Sequence, residues 1–319
     1  MIFVIGCPRS GTTLLRDLLR SHPRLTFLPE TYFIPSYYRA YGDPTSDEAA
    51  RRLARAILRF PWVRRCNLNL SPADFAKCRS YREVVETVFR EWAAREDKSR
   101  WGDKTPAYVR EIPVLADIFP CARFVHLIRD GRDVALSFAR APFGPANVYR
   151  AASTWKALVT AGRRSGSRLG PDAYLEVRYE TLVTEPEATL RRICGFIGEP
   201  FDPLVLQPDR LGRDGRGRTP PPVSQQSIVA THVARWKRSM SPKDIVLFES
   251  VAGDLLGELG YEVGNGTRTS KAPSRLWWEV EDRMRRSLNV IRSRNHLTNY
   301  LLLRRARIRA ALRGRGLLL

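Results

Sequence analysis

The sequence predicts an α/β domain in which a central parallel sheet lies between two layers of helices, and three observations carry that expectation. The chain opens on an apolar strand that runs through the glycine-bounded loop Gly6-Cys7-Pro8-Arg9-Ser10-Gly11 into a helical pattern. A second junction of the same kind follows the nearly unbroken apolar run Arg123–Ile128, which ends in Arg129-Asp130-Gly131-Arg132-Asp133 before another helix. Between and after these junctions, short apolar strands alternate with helical patterns, the arrangement that gives a parallel sheet with helices on both faces. A chain of 319 residues with 43% hydrophobic content can build a substantial core. The division expected is one domain over 1–265, carrying a helical insertion at about 34–100, and a basic, helix-prone extension over 266–319.

Each element has a local reason. Thr12–Arg20 carries apolar residues at helical spacing and stops before Pro23, with His22 capping its end. Leu25–Leu28 reads as a short second strand leading to Pro29-Glu30-Thr31. Helical patterns follow at Asp47–Phe60 and Tyr81–Glu96, with Ser71-Pro72 a helix start between them. Arg100–Lys104 reads as the end of a strand and Tyr108–Phe119 as a helix that stops at Pro120. Helix Val148–Arg164, strand Ala173–Val177 and helix Glu187–Phe196 complete the alternation. Residues 205–224 are rich in Gly, Pro and Arg, which predicts a mobile cationic loop. Helical patterns resume through Ile228–Arg238 and Pro242–Gly257.

The formal net charge of +21 is unevenly spread: residues 266–319 hold 14 Lys/Arg against 3 Asp/Glu, so the extension carries +11 and residues 1–265 carry +10. Such a balance implies an anionic partner: a nucleotide, an acidic glycan, a membrane surface or nucleic acid. Trp277, Trp278 and Leu301–Leu303 among the arginines suit the interface of an anionic bilayer. A positively charged helix packed on the domain is the simpler alternative. Nucleic acid is the weaker partner. The five cysteines, Cys7, Cys66, Cys78, Cys121 and Cys194, are widely spaced with no C-x-x-C pair, which predicts reduced, packed thiols. The four histidines lack metal-ligand spacing. Only a short apolar run precedes the loop, so no leader or membrane span is expected, and a cytoplasmic location, peripheral at a membrane if the extension binds one, is the default.

The first loop is built for an anion. N–H groups at a helix N-terminus are unpaired and carry the positive end of the helix dipole. The spacing nearly matches the G-x4-G-K-[ST] nucleotide loop, but Thr12 stands where lysine is required, and the cation has moved into the loop as Arg9. Arginine grips an oxyanion in a bidentate way without a metal. A kinase or NTPase would need the missing lysine and a magnesium-binding Asp where Arg129 stands.

The string PRSGTTLL resembles the 5′-phosphosulfate loop of sulfotransferases that use 3′-phosphoadenylyl sulfate (PAPS), and FVHLIRDGRDVALSF resembles their second signature. The resemblance implies a P-loop-like α/β/α fold. It implies that Arg9, Ser10, Gly11, Thr12 and Thr13 cradle the 5′-phosphosulfate, and that Arg129 and Ser137 hold the 3′-phosphate. No metal is obligatory, because protein cations can do the electrostatic work of sulfuryl transfer. The stretch PRSGTTLLRDLLRSHPRLTFLPETYFIP is similar in spacing to the start of tyrosylprotein sulfotransferases, which aligns Glu30 with their catalytic base. By the same resemblance Lys104, in Trp101-Gly102-Asp103-Lys104-Thr105-Pro106, supports the transition state beside Arg9, and Tyr179 contacts adenine. THVARWK places Arg235 where a donor-binding lysine is expected, and residues 220–229 where the chain closes over the nucleotide. The plain alternatives are that Arg129 pairs with Asp130 or Asp133, that Lys104 is a surface lysine and that Tyr179 is a packed aromatic.

The match also has departures. Phe27 and Asp103 occupy positions where tyrosylprotein sulfotransferases carry a bonded cysteine pair, and Ala141 stands where that family has an arginine, with Arg140 preceding it. The expected partner is therefore a hydroxyl-bearing acceptor of open identity: glycan, lipid, phenol or tyrosine. Its pocket is expected largely in the segment Ile34–Arg100, where Tyr32, Tyr37, Tyr38, Trp62 and Trp92 can stack on a sugar or aromatic ring or equally belong to the core. Oligomeric state is not legible.

Overall fold

Strands that are apolar on both faces are buried only between two helical layers, and the computed structural model, which describes residues 1–28, 30–141, 144–207 and 230–264, puts them there. The strands are β1 (Ile2–Gly6), β2 (Leu25–Leu28), β3 (Arg100–Lys104), β4 (Arg123–Ile128) and β5 (Tyr174–Arg178). They form one sheet in the order β2-β3-β1-β4-β5, with every pairing parallel. Parallel pairing brings all five carboxyl ends to one edge, and β1 sits centrally with Val4 opposite Lys104 on one side and Gly6 opposite Leu127 on the other.

Alternation along β1 divides the core. Phe3 and Ile5 enter the larger cluster, where Phe3 stacks on Phe124 with ring centroids 5.2 Å apart. Ile2 and Val4 enter the smaller one with Leu15, Leu18, Val125 and Leu127. α1 (Thr12–Arg20) follows β1, and its apolar face fills that smaller cluster. An insertion of α2 (Ile34–Tyr41), α3 (Asp47–Leu58), α4 (Pro61–Arg65) and α5 (Tyr81–Arg95) separates β2 from β3. α6 (Ile112–Ile118) precedes β4, and α7 (Gly131–Phe138) and α8 (Val148–Leu169) join β4 to β5. α9 (Tyr179–Thr184) and α10 (Pro186–Ile197) come next, followed by α11 (Trp236–Ser239) and α12 (Pro242–Glu258).

Most expected elements form within a residue or two of their predicted ends, and the exceptions have local causes. The helix expected over Tyr108–Phe119 is split. A 3₁₀ turn over Pro106–Arg110 gives way to α6, whose first turn holds Pro113, a residue with no N–H to continue an earlier helix. Of the stretch expected as Ile228–Arg238, the described residues, from Ala230 on, form a tight turn over Ala230–His232 and the four-residue α11, and Ala234 between them has φ +51°. Ser71-Pro72 opens a single 3₁₀ turn, Pro72–Phe75. His22 does not cap α1 through its ring: Nε2 meets the Pro200 carbonyl at 2.9 Å and Nδ1 accepts from the Arg24 N–H at 3.1 Å. The cationic-loop reading of 205–224 lies largely outside the described residues, as do the segment 220–229, the extension 266–319 and its membrane-surface reading. All five cysteines are free thiols, three of them buried. Among the described residues, no helix is long and apolar enough to cross a membrane.

Helix α8 seats on the sheet through Gly162. A Cβ there would lie 2.5 Å from the His126 ring and 2.5 Å from Val109, both in the core. The Tyr174 hydroxyl donates to Glu176 Oε1 at 3.0 Å, so His126 Nδ1–H is the donor in its 2.5 Å contact with that hydroxyl. Burial pushes the His126 imidazole down to about 3 and keeps it neutral. Helix propensity alone makes Gly→Ala favourable by about 1 kcal/mol, whereas overpacking a core costs about 1–3 kcal/mol. Gly162→Ala should therefore lower Tm in thermal unfolding followed by circular dichroism, and a rise would mean that α8 can back away from β4.

Candidate active site

The carboxyl edge of a parallel sheet exposes strand ends and helix N-termini together, and two clusters of functional side chains stand there. The first surrounds the loop between β1 and α1. Gly6 lies so close to β4 that a Cβ would sit 2.4 Å from the Leu127 carbonyl oxygen. Gly11, at the start of α1, has φ +93°, and a Cβ there would meet the Tyr179 ring at 2.5 Å. Between them Arg9 adopts φ +75°, a conformation that costs a non-glycine residue energy and marks a constrained loop. Ser10 Oγ is buried and has no hydrogen-bond partner among the described residues. Thr12 is buried and Thr13 exposed in the first turn of α1.

The end of β4 delivers Arg129 to the same place. Its Nη1 donates to the Arg9 carbonyl at 3.4 Å and its Nη2 to the His232 carbonyl at 2.7 Å. The guanidinium lies 4.4 Å from the centre of the Tyr179 ring. Arg129 Nε is buried with no hydrogen-bond partner among the described residues. Ser137, in the second turn of α7, accepts a hydrogen bond from Arg9 Nε at 2.9 Å. Asp133 lies 3.8 Å from Arg129, and burial pushes its carboxyl up to about 6 against the pull of that arginine. The pairing offered as the plain reading of Arg129 is thus loose and leaves part of the guanidinium uncommitted.

A buried ion cluster, not anticipated from sequence, holds the later chain over this site. Arg132 bonds Asp130 at 2.8 Å and Glu249 at 2.6 Å, and its guanidinium stacks 3.5 Å from the Trp236 ring centre. The Trp236 N–H donates to Asp133 Oδ1 at 2.8 Å. This brings His232 and Arg235 to the Arg129 side: burial and then the fields of Arg129, Arg235 and Arg140 depress the His232 imidazole. An anion fits what is present, namely two buried polar atoms with no partner among the described residues, converging arginines and an N-terminus of α1 that has no side-chain cap. Among the described residues, no group of three or more His, Cys, Asp and Glu side chains stands ready for a metal ion.

The second cluster stands at the ends of β2 and β3. Lys104 Nζ donates to Glu30 Oε1, and the Tyr32 hydroxyl donates to Glu30 Oε2. Lys104 is almost fully buried, while the Glu30 side chain keeps 25% of its exposure. Burial alone would raise the Glu30 carboxyl, but the Lys104 charge and the bonds from Lys104 and Tyr32 outweigh it and hold the group below its ordinary range. Burial lowers the Lys104 ammonium, and Glu30 offsets only part of that. Arg16, one turn into α1, adds positive field to both groups. Tyr32 adopts φ +52° to reach Glu30.

The sequence-predicted residues therefore fall into two groups at one edge. Arg9, Ser10, Gly11, Thr12, Thr13, Arg129, Ser137 and Tyr179 gather at the loop, with Arg235 beyond His232, and Glu30 pairs with Lys104. Lys104 is a buried ion-pair partner rather than a surface lysine. Tyr179 is both a packed aromatic and part of the loop's wall. Two aromatics expected in an acceptor pocket are core instead: Tyr37 is buried, its phenol pushed up to about 12 by burial, and Trp92 donates from Nε1 to Thr26 Oγ1 at 3.0 Å. Tyr32, Tyr38 and Trp62 remain half-buried.

A sulfotransferase family model matches residues 2–203. Protein-tyrosine sulfotransferase A of Caenorhabditis elegans is 27% identical over 277 residues, 82% of this chain and 67% of that protein. Protein-tyrosine sulfotransferase of Drosophila melanogaster is 24% identical and also covers 82% of this chain, which spans about half of that relative's length (52%). Among solved structures, the sulfotransferase domain of the curacin biosynthetic pathway superposes with a TM-score of 0.59 over 83% of this chain and 98% of its own, at 22% identity, a likeness of fold.

The hydrogen bond from Tyr32 favours the ionised form of Glu30, so removing it raises the carboxyl pKa. In Tyr32→Phe, the midpoint of the Glu30 carboxyl signal in a carbon-13 NMR titration should move to higher pH. An unchanged midpoint would show that Lys104 alone sets the charge state.

Proposed function

The chain belongs to the sulfotransferase family, and on that premise we propose that it moves the sulfuryl group of PAPS to a hydroxyl acceptor by in-line displacement. The observation that carries the reading is the meeting, at one sheet edge, of an arginine cradle with a carboxylate paired to a buried lysine. Arg9 and Ser137, bonded to each other here, are the groups assigned to the 5′-phosphosulfate and the 3′-phosphate. Arg129 joins Ser137 at the 3′ end, and Tyr179 and Arg235 flank the nucleotide.

In the proposed transfer the acceptor oxygen forms the new S–O bond as the bond from sulfur to the 5′-phosphate oxygen breaks. The acceptor's hydroxyl proton passes to Glu30, and the negative charge left on the phosphate is met by Arg9 and Lys104. A carboxylate with a lowered pKa is a weak base while Lys104 faces it. Turning Lys104 toward the phosphate removes that restraint, so one motion strengthens the base and supplies the leaving-group cation. The names of the protein-tyrosine sulfotransferase relatives favour a phenolic hydroxyl of tyrosine among the acceptors. For residues 266–319 we keep the reading of an anionic membrane surface as partner.

Isothermal calorimetry should detect 3′,5′-bisphosphoadenosine binding in the presence of EDTA, whereas magnesium-dependent ATP binding would favour a kinase instead. Arg9→Ala and Glu30→Ala should each lower sulfuryl transfer at least about a hundredfold, the size of losing an electrostatic or proton-transfer group. Near-normal transfer by Glu30→Ala would remove it as base. Full-length protein should float with vesicles containing phosphatidylserine better than a chain ending at Gly266, and equal flotation would sink the membrane reading.

A further inference from the structure

We infer that Thr31, Asp103 and Tyr108 are positioning residues: a buried column of hydrogen bonds through their side chains fixes Glu30 against Lys104 and ties the pair to the helical insertion. The inference rests on the reading of Glu30 and Lys104 as the reacting pair. Its starting point is where the sheet stops. The register of β2 on β3 ends with Leu28 opposite Asp103, so Glu30 lies beyond the last rung of the backbone ladder. Side chains take over the pairing there. The Thr31 N–H donates to Thr105 Oγ1 at 3.0 Å, and the Thr31 hydroxyl donates to Asp103 Oδ2 at 2.8 Å. Thr31 adjoins Glu30, and Asp103 and Thr105 flank Lys104, so these two bonds lock both backbones at the reacting pair.

With Asp103 ionised, the bonds of the column have set directions. Ile34 N–H can only donate, and it does so to the Tyr108 hydroxyl at 3.1 Å. The Thr31 hydroxyl proton is committed to Asp103, so the 2.8 Å contact between Thr31 and Tyr108 carries the Tyr108 proton. From the insertion, the Tyr81 hydroxyl donates to the Ile34 carbonyl at 2.8 Å. Thr31, Asp103 and Thr105 are at most 1% exposed and Tyr108 is 3% exposed, so no water competes for these groups. Burial pushes the Asp103 carboxyl up to about 7. A buried carboxyl is an expensive way to fill space, and apolar residues of the same shape would be as stable or more so. What an apolar pair would not supply is a single fixed geometry.

The test uses Thr31→Val, which removes the hydroxyl while keeping shape and N–H, with Thr31→Ser as the conservative rescue and Asp103→Asn as a second break. Each is compared with wild type for binding of 3′,5′-bisphosphoadenosine, for sulfuryl transfer to the acceptor on which wild type is active, and for the pH midpoint of the Lys104 side-chain NMR signal, assigned by its loss in Lys104→Ala. Thr31→Val should bind the nucleotide within about twofold of wild type yet lose at least about tenfold in kcat, as expected when reacting groups are misplaced. Its Lys104 midpoint should move to lower pH because Glu30 no longer holds the charge, and Thr31→Ser should restore both. Wild-type kcat with an unmoved Lys104 midpoint in Thr31→Val and Asp103→Asn overturns the inference. So does a loss of nucleotide binding in step with kcat, which marks a fold defect. Failure of wild type itself to bind the nucleotide strikes the PAPS reading, and the Lys104 midpoint then still decides the positioning claim.

Discussion

The close approach of β1 to β4 at Gly6 is the constraint on which the rest of the site depends. With the Leu127 carbonyl where a Cβ would stand, the first loop must leave the sheet hard against the end of β4. Arg129 comes two residues after Leu127, which is why its guanidinium reaches the Arg9 carbonyl rather than solvent. The same contact explains Tyr179: β5 pairs with β4, so the residue after Arg178 arrives beside the loop, and Gly11 leaves room for its ring. Three strand ends and one helix N-terminus thus converge because Gly6 and Gly11 have no side chains.

Convergence of like charges has an electrostatic cost that the fold contains rather than removes. Arg132 is fully neutralised by Asp130 and Glu249 and serves as a structural anchor. Arg129 is not: its nearest carboxylate, Asp133, is 3.8 Å away and is itself pushed toward the neutral form by burial. Among the described residues, the Arg9 side chain has a neutral hydroxyl, that of Ser137, as its hydrogen-bond partner. Positive potential is therefore left where backbone N–H groups also point, and a dianionic ligand relieves both at once. Two arginines three positions apart, Arg129 and Arg132, so have opposite uses, decided by which carboxylates each reaches.

The parts of this arrangement that are local in sequence were legible there. The strand-loop-helix junctions, the missing Walker lysine and the parallel alternation each follow from residues within one short window, and the structure forms them where expected. Arg9, Ser137, Glu30 and Lys104 were legible only as separate roles implied by the resemblance, and the pairing of Arg9 with Ser137 and of Glu30 with Lys104 was not, because the partners lie far apart in the chain. Tyr32 read as an acceptor aromatic, and nothing local signals that a left-handed backbone turns its hydroxyl onto Glu30. Thr31, Thr105 and Tyr108 carried no signal, since a buried hydroxyl is recognisable only once its partner is known. Asp103 was noticed as a departure from a family pattern, and its partner made sense of it. The helix expected over Tyr108–Phe119 failed because apolar spacing was read across Pro113, where proline chemistry wins over periodicity.

The two clusters differ in how they tolerate burial, and the difference follows the proposed division of labour. Around the loop, polar atoms such as Ser10 Oγ and Arg129 Nε are left without partners among the described residues, a cost that a bound ligand would offset. At Glu30 and Lys104 the two charges face each other, and the geometry is held by the column through Thr31, Asp103 and Tyr108, in which Asp103 Oδ1 has no hydrogen-bond partner among the described residues. A site that must wait for a doubly charged donor benefits from unsatisfied donors on that side. A site that must take a proton from a neutral hydroxyl benefits from a carboxylate whose charge is secure until its lysine partner turns away. Burial opposes the charged form of both Glu30 and Lys104; the field and bond of Lys104 outweigh it at Glu30, while Glu30 offsets only part of it at Lys104. Removing either partner therefore changes the charge state of the other as well as its position, so single substitutions at this pair report on both.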